Sequence, residues 1–529
     1  MQPYPEHIPV VVVGAGPTGL TVASLLASYG VDCVVLERES APLNLPRAIV
    51  LDDEGARTLQ AIGLQHSYVD QTSASEGAKY YDQDGTCFAT VGAGPRNFGF
   101  AKKNYILQPE LESALRKQLE DRAPGALRFE AEVTQIDQRP DGAVVTVTDR
   151  SGAAHQIDTR WVLACDGGRS PIRERLGLAM AGDTYAEDWI VVDTLDDPDT
   201  TLFSKFFCNP ERPAVSIPAP GGGRRYEFMV LPGETRAAVL EDAFLAELLA
   251  PHRVYDTAKV LRKTVYTFHA RLVERFCEGR VVLLGDAAHL TPPFAGQGMN
   301  AGLRDTHNVA WKVAANLRGG AAPAVLDTYE TERRDAAWGM IQLAVAMGDI
   351  VMPIAPDQLR FRDLLLSALA PFPAVLDYLV EMRFKPKPEY KDGLFLDLDA
   401  PQFEAALPGA MIPQPEVGRE GQWQLLDTLM GPGFALIGQG PEAAAALDRL
   451  GRHDLMGLPL ACVQLDLSPS PAPGADTTRD PAISRPLRTH RDQILLIRPD
   501  RYCAAACAPE DLDHMLVRYE ALLTDGPTE

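Results

Sequence analysis

Apolar residues follow three rhythms along this chain, and each rhythm predicts a different element. Val10–Val13 is an unbroken apolar run, the pattern of a parallel strand buried on both faces. Leu20, Ala23, Leu26 and Ala27 then recur at helical spacing, Gly30 ends the helix, and "VDCVVLE" is the next strand, closing at Glu37. This strand–helix–strand unit has the size of a parallel crossover, roughly 30 residues. The stretch "RFEAEVTQIDQRPDGAVVTVTDRSG" alternates apolar with polar and carries Asp141-Gly142, a hairpin signal. "RWVLACDGGRSPIRERLGL" reads as strand, loop and helix, with Ser170 as N-cap and Pro171 at the first helical position.

From about 181 to 275 the strands "WIVVDTLD", "TLFSKFFCN", "AVSIPAP", "RRYEFMVLPG" and "TVYTFHARLVERF" predict an antiparallel sheet, with "AFLAELLAPH" as a helix within it. "GRVVLLGDAAH" returns to the buried-strand pattern. The helix after it carries Val309, Val313 and Leu317 on one face and stops at Gly319-Gly320. Residues from about 325 to 385 read as helical, and "FKPKPEYKDG" marks a boundary. Beyond about 400 come the strand candidates "GFALIG", "LACVQLDL" and "DQILLIRPD", the helix "APEDLDHMLVRYEALL" and a loop at 468–482.

The expected class is α/β (α+β). Residues 1–180 form the first part of a Rossmann-like nucleotide domain, with some strands near 75–105 belonging to the next sheet. Residues 181–275 form that antiparallel-sheet domain. Residues 276–395 complete the nucleotide domain and add a helical segment, and 400–529 form a last domain.

Composition narrows the partners. The net charge of −22 argues against nucleic acid and against charge-driven binding to anionic membranes. No apolar run reaches the roughly 18 residues of a membrane span. "MIQLAVAMGDIVMPIA" is broken by Asp349 and Pro353 and reads as a buried or interfacial helix. The N-terminus lacks the positive region of a signal peptide, so the expected location is cytoplasmic. Eight cysteines are scattered without a C-x-x-C pair, as expected of buried thiols in a reducing compartment. A homodimer is one assembly the sequence permits.

Gly14, Gly16 and Gly19 make G-x-G-x-x-G between a strand and a helix, and Glu37 follows at the end of the next strand. In that context the glycines let a pyrophosphate approach the helix N-terminus, and the acid accepts hydrogen bonds from an adenosine ribose. "CDGGRSPIR" (165–173) matches the D-G-x-x-S-x-[VI]-R pattern of flavoprotein aromatic hydroxylases. "GDAAHLTPPFAGQGMN" (285–300) resembles their flavin-ribityl segment. With these three ordered motifs, the chain resembles the group A flavin monooxygenases of the p-hydroxybenzoate hydroxylase fold. "PRAIVLDDEGARTLQAIGL", "CNPERPAVSIPAPGGGRRYEFMVLPGE" and "PGAMIPQPEV" resemble the branch containing 3-(3-hydroxyphenyl)propionate hydroxylase.

This resemblance implies FAD as cofactor, NAD(P)H as co-substrate, O2, and a phenol hydroxylated ortho to its hydroxyl through a flavin C4a-hydroperoxide. It also implies a thioredoxin-like C-terminal domain without redox cysteines. Gly14, Gly16 and Gly19 would hold the pyrophosphate and Glu37 the adenosine ribose, with Arg38 beside it. Arg47 and Gln108 would lie by the flavin's phosphate arm. Asp166 would support the FAD and NAD(P)H face, and Asp286 would bind the ribityl chain. Gly298, Met299 and Asn300 would bring a helix N-terminus to the flavin pyrimidine. Pro292, Pro293 and Phe294 would form an apolar wall at the reaction site.

A phenol attacks far better as phenolate, yet its pKa is about 10, so the site should stabilise the anion or supply a base. His289, His269, Tyr226 and Asp52 are the candidates. Arg224, Arg225 and Arg271 are candidates for pairing a substrate carboxylate. Which face of "RRYEFMV" meets the flavin stays open. The alternatives are the same chemistry on a larger polycyclic or antibiotic-type aromatic, and a non-hydroxylating flavin dehydrogenase or flavin-binding carrier. None of the five tryptophans makes the W-x-W of the halogenases that share this fold.

Overall fold

In the computed structural model the first unit forms as its pattern requires: β1 (His7–Val13), α1 (Pro17–Ser28) and β2 (Cys33–Leu36). The structure describes all residues except 1–2, 44, 370, 372–384, 399–405, 420, 469–470, 472–474 and 527–529. Val10, Val11 and Val12 are fully buried, because β1 pairs in parallel with β2 on one side and with Ala154–Ala164 on the other. Strand Val281–Leu283 extends this nucleotide sheet, again in parallel. The hairpin at Asp141-Gly142 joins Ala131–Arg139 to Gly142–Asp149 and attaches to the same sheet.

The second sheet has eight strands and is larger than the 181–275 pattern alone predicts. Met180–Thr194, Phe203–Phe207, Ala214–Ala219, Gly223–Met229 and Val260–Val273 are joined by Gly77–Tyr81, Cys87–Gly92 and His289–Leu290. The pairing is antiparallel with one exception: Phe203–Phe207 lies parallel to Gly77–Tyr81. Both faces of this sheet are covered, and all seven residues of Gly223–Met229 are buried. Helix Asp242–Leu249 packs on one face with Tyr226 and Phe228. The other face carries Trp189, Phe206, Met229 and Phe268 against Phe294, Met347 and Val351.

The helix Gly298–Gly319 runs 22 residues through the centre and ends at Gly320 in the left-handed conformation. Helices Thr328–Val351 and Pro356–Leu369 follow, and the remainder of the expected helical stretch, 372–384, lies outside the described residues. Among the described residues no single helix is long and apolar enough to cross a membrane. The C-terminal strands Leu458–Leu465, Phe434–Gln439, Ile494–Ile497 and Cys503–Cys507 are adjacent in one mixed sheet, and helix Leu512–Asp525 closes the chain.

Candidate functional site

Three loops meet where the nucleotide sheet faces the large antiparallel sheet. The glycine loop follows β1. A Cβ on Gly14, whose φ is +101°, would stand 2.4 Å from the Cys165 carbonyl oxygen, and one on Gly19 would meet the Gly14 carbonyl at 1.9 Å. These two glycines therefore pack the turn against the 165–173 loop. A Cβ on Gly16 would meet nothing within 4 Å, so this is the glycine that faces open space at the helix N-terminus. Glu37 fixes the loop by accepting from Ala15 N–H at 2.8 Å and from Glu39 N–H at 2.9 Å. Arg38 extends into solvent beside Glu39.

The second loop carries Asp166. Ser170 caps the short helix Pro171–Arg175 as its sequence predicts, accepting from Arg173 N–H at 3.0 Å. One oxygen of Asp166 accepts from Ile172 N–H at 3.1 Å, while the other is buried without a partner. Burial pushes this carboxyl up, against the opposing hydrogen bonds from Ser170 and Ile172.

The third loop is 285–300. Asp286 is open to solvent yet enclosed by surrounding protein, the situation of a carboxylate on the floor of a deep cleft. Enclosure raises its pKa, and nearby His289 and Arg47 oppose the rise. Among the described residues none hydrogen-bonds its side chain. The helix Gly298–Gly319 begins without a side-chain cap, so its first N–H groups are free to meet a ligand. Gly298 and Met299 stand half-buried at this start. The Asn300 side chain is already engaged: it accepts from Asp52 N–H at 3.0 Å and donates to the carbonyls of Val50 (3.1 Å) and Gly296 (2.8 Å). Only its backbone can serve a ligand. Gln108 accepts from Ala48 N–H at 2.6 Å and so holds the segment bearing exposed Arg47. Pro293 opens a tight turn, and its carbonyl accepts from Gly296 N–H at 2.8 Å. An open glycine, two carboxylates with spare acceptor capacity and an uncapped helix start fit the phosphates, hydroxyls and electron-rich ring of FAD.

Three residues read as candidates for phenol activation are not brought into this cleft. Asp52 caps helix Asp53–Ala61 through Gly55 N–H at 2.8 Å and ion-pairs with Arg304, so both oxygens are engaged. Tyr226 points to the opposite face of the sheet and donates to Asp197 at 3.1 Å. His289 is fully buried, with Nε2 2.6 Å from Asp305. Asp305 also accepts from Gly285 N–H (3.0 Å) and Arg333 (2.9 Å), so His289 ties the loop to the central helix. His269 is half-buried beside Thr184 at 3.0 Å, and burial followed by Arg271 and Arg169 pushes its pKa down. Arg224 is consumed by the carbonyls of Asp199 and Thr201 and by Ser216. Arg225 pairs with Asp193 at 2.7 Å and clamps the carbonyls of Pro46 and Arg47.

Two side chains that sequence reasoning passed over lie on the cleft-facing side of the sheet: Glu227, two residues before Met229, and Lys103, which reaches Ser204 at 2.9 Å. Glu227 alternates with Tyr226, and the period of two gave two faces without saying which was inward. Burial raises the Glu227 pKa, opposed first by Arg225.

The FAD binding domain family matches residues 7–344, and the HcaD C-terminal domain family matches 409–522. The chain belongs to the FAD-binding family of group A aromatic hydroxylases. It is 36% identical to a 3-(3-hydroxy-phenyl)propionate/3-hydroxycinnamic acid hydroxylase of Klebsiella pneumoniae (strain 342), covering 99% of this chain and 96% of that protein. A second protein of that name from Burkholderia vietnamiensis (strain G4 / LMG 22486) is 38% identical over 94% and 93%. Among solved structures the fold is similar to the flavin-dependent monooxygenase PieE (TM-score 0.81, 20% identity, 99% of this chain and 100% of that one). It is also similar to aklavinone-11 hydroxylase (TM-score 0.76, 24% identity, 98% and 99%).

Proposed function

We propose that this protein is an NAD(P)H- and FAD-dependent monooxygenase that hydroxylates a phenol bearing a short acid side chain, ortho to its hydroxyl. The observation that carries the reading is the end-to-end similarity to hydroxylases of 3-(3-hydroxyphenyl)propionate, at 36% identity over 99% of the chain. Bound FAD supplies the electron transfer from NAD(P)H and the activation of O2. The residues of this chain bind, orient and enclose. Glu37, Gly16 and Asp286 hold the nucleotide and its sugar arm. The free N–H groups at Gly298 and Met299 offer a positive helix end to negative charge on the ring system. Phe294 packs edge-on against Trp189 (5.6 Å) and Phe268 (5.5 Å), closing an apolar wall that excludes water from the reacting atoms. The same close packing favours a single-ring substrate over a polycyclic one.

The test is NAD(P)H oxidation with coupled O2 uptake, measured with 3-(3-hydroxyphenyl)propionate and with a polycyclic phenol, with products identified. Stimulation by the single-ring acid and release of its catechol are expected. Oxidation that no phenol accelerates overturns the hydroxylase reading.

A further inference from the structure

The cleft-facing side of the large sheet has an apolar end and an ionic end. Its cross-strand register sets Met229 beside Trp189 and Trp189 beside Tyr266, with Phe268 stacked on Trp189 at 5.7 Å. Toward the other end the register sets Ile217 beside Arg225, Arg225 beside Asp193 and Asp193 beside Arg262. Glu227 lies between the two ends, beside Val191. A small sheet of Val50–Asp52, Lys103–Tyr105 and Ser73–Ala74 covers the ionic end, packing Ile49, Val50 and Tyr105 on Leu202 and Ile217. Asn300 ties this small sheet to the loop that opens the central helix.

Three cations stand here, and they differ in what they hold. Arg225 is saturated by Asp193 and by the carbonyls of Pro46 and Arg47. Arg262 donates to the Pro46 carbonyl at 2.6 Å and to the Tyr266 hydroxyl at 2.8 Å. Lys103 has one hydrogen bond, to Ser204 Oγ at 2.9 Å, although an ammonium carries three donors. Among the described residues no carboxylate lies within ion-pair distance of it. Lys103 is partly exposed, and the Tyr105 ring lies 5.7 Å from its amine. Against these three cations stand two carboxylates, Asp193 and Glu227. The ionic end therefore carries a positive excess inside a chain of net charge −22.

We propose that Lys103 is a specificity-determining residue that takes the carboxylate of an acid side chain on the aromatic substrate. The proposal rests on the hydroxylase reading above. Lys103 enters the ionic end at Ser204, on the strand two places from Gly223–Met229, in the cross-strand row that holds Ile217 and Arg225. A lysine suits this task because its flexible point charge can follow a carboxylate without imposing a fixed fork geometry.

The test uses FAD-loaded enzyme in wild-type, Lys103→Met and Lys103→Arg forms, with flavin content confirming an intact site. kcat/KM is measured for 3-(3-hydroxyphenyl)propionate and for neutral 3-ethylphenol. Lys103→Met is expected to lower kcat/KM for the acid about 30- to 100-fold and that for 3-ethylphenol less than about threefold, with Lys103→Arg recovering part of the preference. A second readout needs no turnover: binding of 3-phenylpropionate and of ethylbenzene, followed by perturbation of the flavin spectrum. Wild type should prefer the acid, and Lys103→Met should lose that preference. Equal losses on both ligands, or an undiminished preference for the acid in Lys103→Met, overturn the assignment. If wild type turns over no phenol, the hydroxylase reading falls while the binding pair still judges Lys103. Failure of wild type to prefer 3-phenylpropionate overturns the Lys103 proposal.

Discussion

At the junction of the central helix with the C-terminal sheet, Glu332 accepts from both terminal nitrogens of Arg498 at 2.7 Å, from Lys312 at 2.8 Å and from Leu394 N–H at 3.0 Å. Some distance along the same fold, Asp286 has no described partner, Asp166 leaves one oxygen unpaired and Lys103 has a single hydrogen bond. The two regions use the same residue types at different exposure: Glu332, Arg498 and Lys312 are buried, whereas Asp286 is exposed and Lys103 partly so. The first is closed: each charge is answered by protein, and its role is to join segments far apart in sequence. The second is left open: water can answer Asp286 and Lys103, while the buried, unpaired oxygen of Asp166 costs free energy unless a ligand answers it. The contrast separates charges spent on the fold from charges left available to a ligand.

The largest expected effect breaks the closed region. Glu332→Ala leaves Arg498 and Lys312 buried and uncompensated, and a loss of about 3–5 kcal/mol is expected, read as a lower unfolding midpoint and reduced soluble yield. Burial pushes the Glu332 carboxyl up, but Arg498 and Lys312 more than reverse this and hold it below the ordinary carboxylate range. A carboxylate depressed in the folded state contributes its stability above the unfolded pKa, roughly 4.3. That contribution is lost as pH falls through the folded value. Wild type should therefore lose stability as pH drops below about 4, and Glu332→Ala should show a flatter acid limb. Equal acid limbs in the two proteins would remove Glu332 from this role.

The glycine loop separates packing from ligand contact in the same way. Gly14→Ala is expected to damage the fold, because φ is +101° and the added carbon meets the Cys165 carbonyl. Gly16→Val has an extended backbone (φ −74°, ψ −178°), and no protein atom lies within 4 Å of the added Cβ. Losing Gly from the N-cap of the helix should cost the apoprotein about 1 kcal/mol, far less than Gly14→Ala, and FAD should bind on the order of 100-fold more weakly. Apoprotein unfolding and flavin titration check both. A Gly16→Val protein that retained full flavin affinity would place the pyrophosphate elsewhere.

Much of this architecture was legible in the sequence, for local reasons. The Val10–Val13 run, the Ser170-Pro171 cap and the Gly319-Gly320 stop depend on neighbours a few residues away, and each formed where its pattern lies. Strands near 75–105 were expected to join the large sheet, but the parallel pairing of Gly77–Tyr81 with Phe203–Phe207 was not legible, because strand partners far apart in sequence leave no periodic trace. Nor was the inward face of Gly223–Met229. Alternation identifies a solvent-facing side only when one side is polar, and here helix Asp242–Leu249 and the cleft bury both. Lys103 escaped notice because its meaning comes from Ser204 and Glu227, more than 100 residues on.

The open region makes a prediction about pH. Burial pushes Lys103 down to about 8, with Glu227 opposing. The ammonium is thus charged below that pH and neutral above it, so preference for an acid over a neutral phenol should decline as pH rises through about 8. The ratio of kcat/KM for 3-(3-hydroxyphenyl)propionate to that for 3-ethylphenol isolates this from pH effects common to both substrates, and a decline of about tenfold is expected. Because a bound carboxylate favours the charged amine, acid binding just above pH 8 should take up protons from a weakly buffered solution. A flat ratio across this range would detach Lys103 from acid recognition.

The smallest effects divide two neighbours on one strand. Tyr226 faces the helix-covered side, where its hydroxyl is one of several donors to Asp197, which also receives Arg253 at 3.0 Å. Tyr226→Phe removes one hydrogen bond to an acceptor that stays paired, so a loss of about 1 kcal/mol is expected with kinetics unchanged. Glu227 lies on the opposite, cleft-facing side, and its negative charge competes with an incoming carboxylate for Lys103. Glu227→Gln removes that competitor and should lower KM for the acid about two- to fivefold, with little change for 3-ethylphenol. One residue's displacement along the strand thus exchanges a stability effect for a specificity effect. A shift of KM in Tyr226→Phe, or none in Glu227→Gln, would mean that the face turned toward the substrate has been assigned the wrong way round.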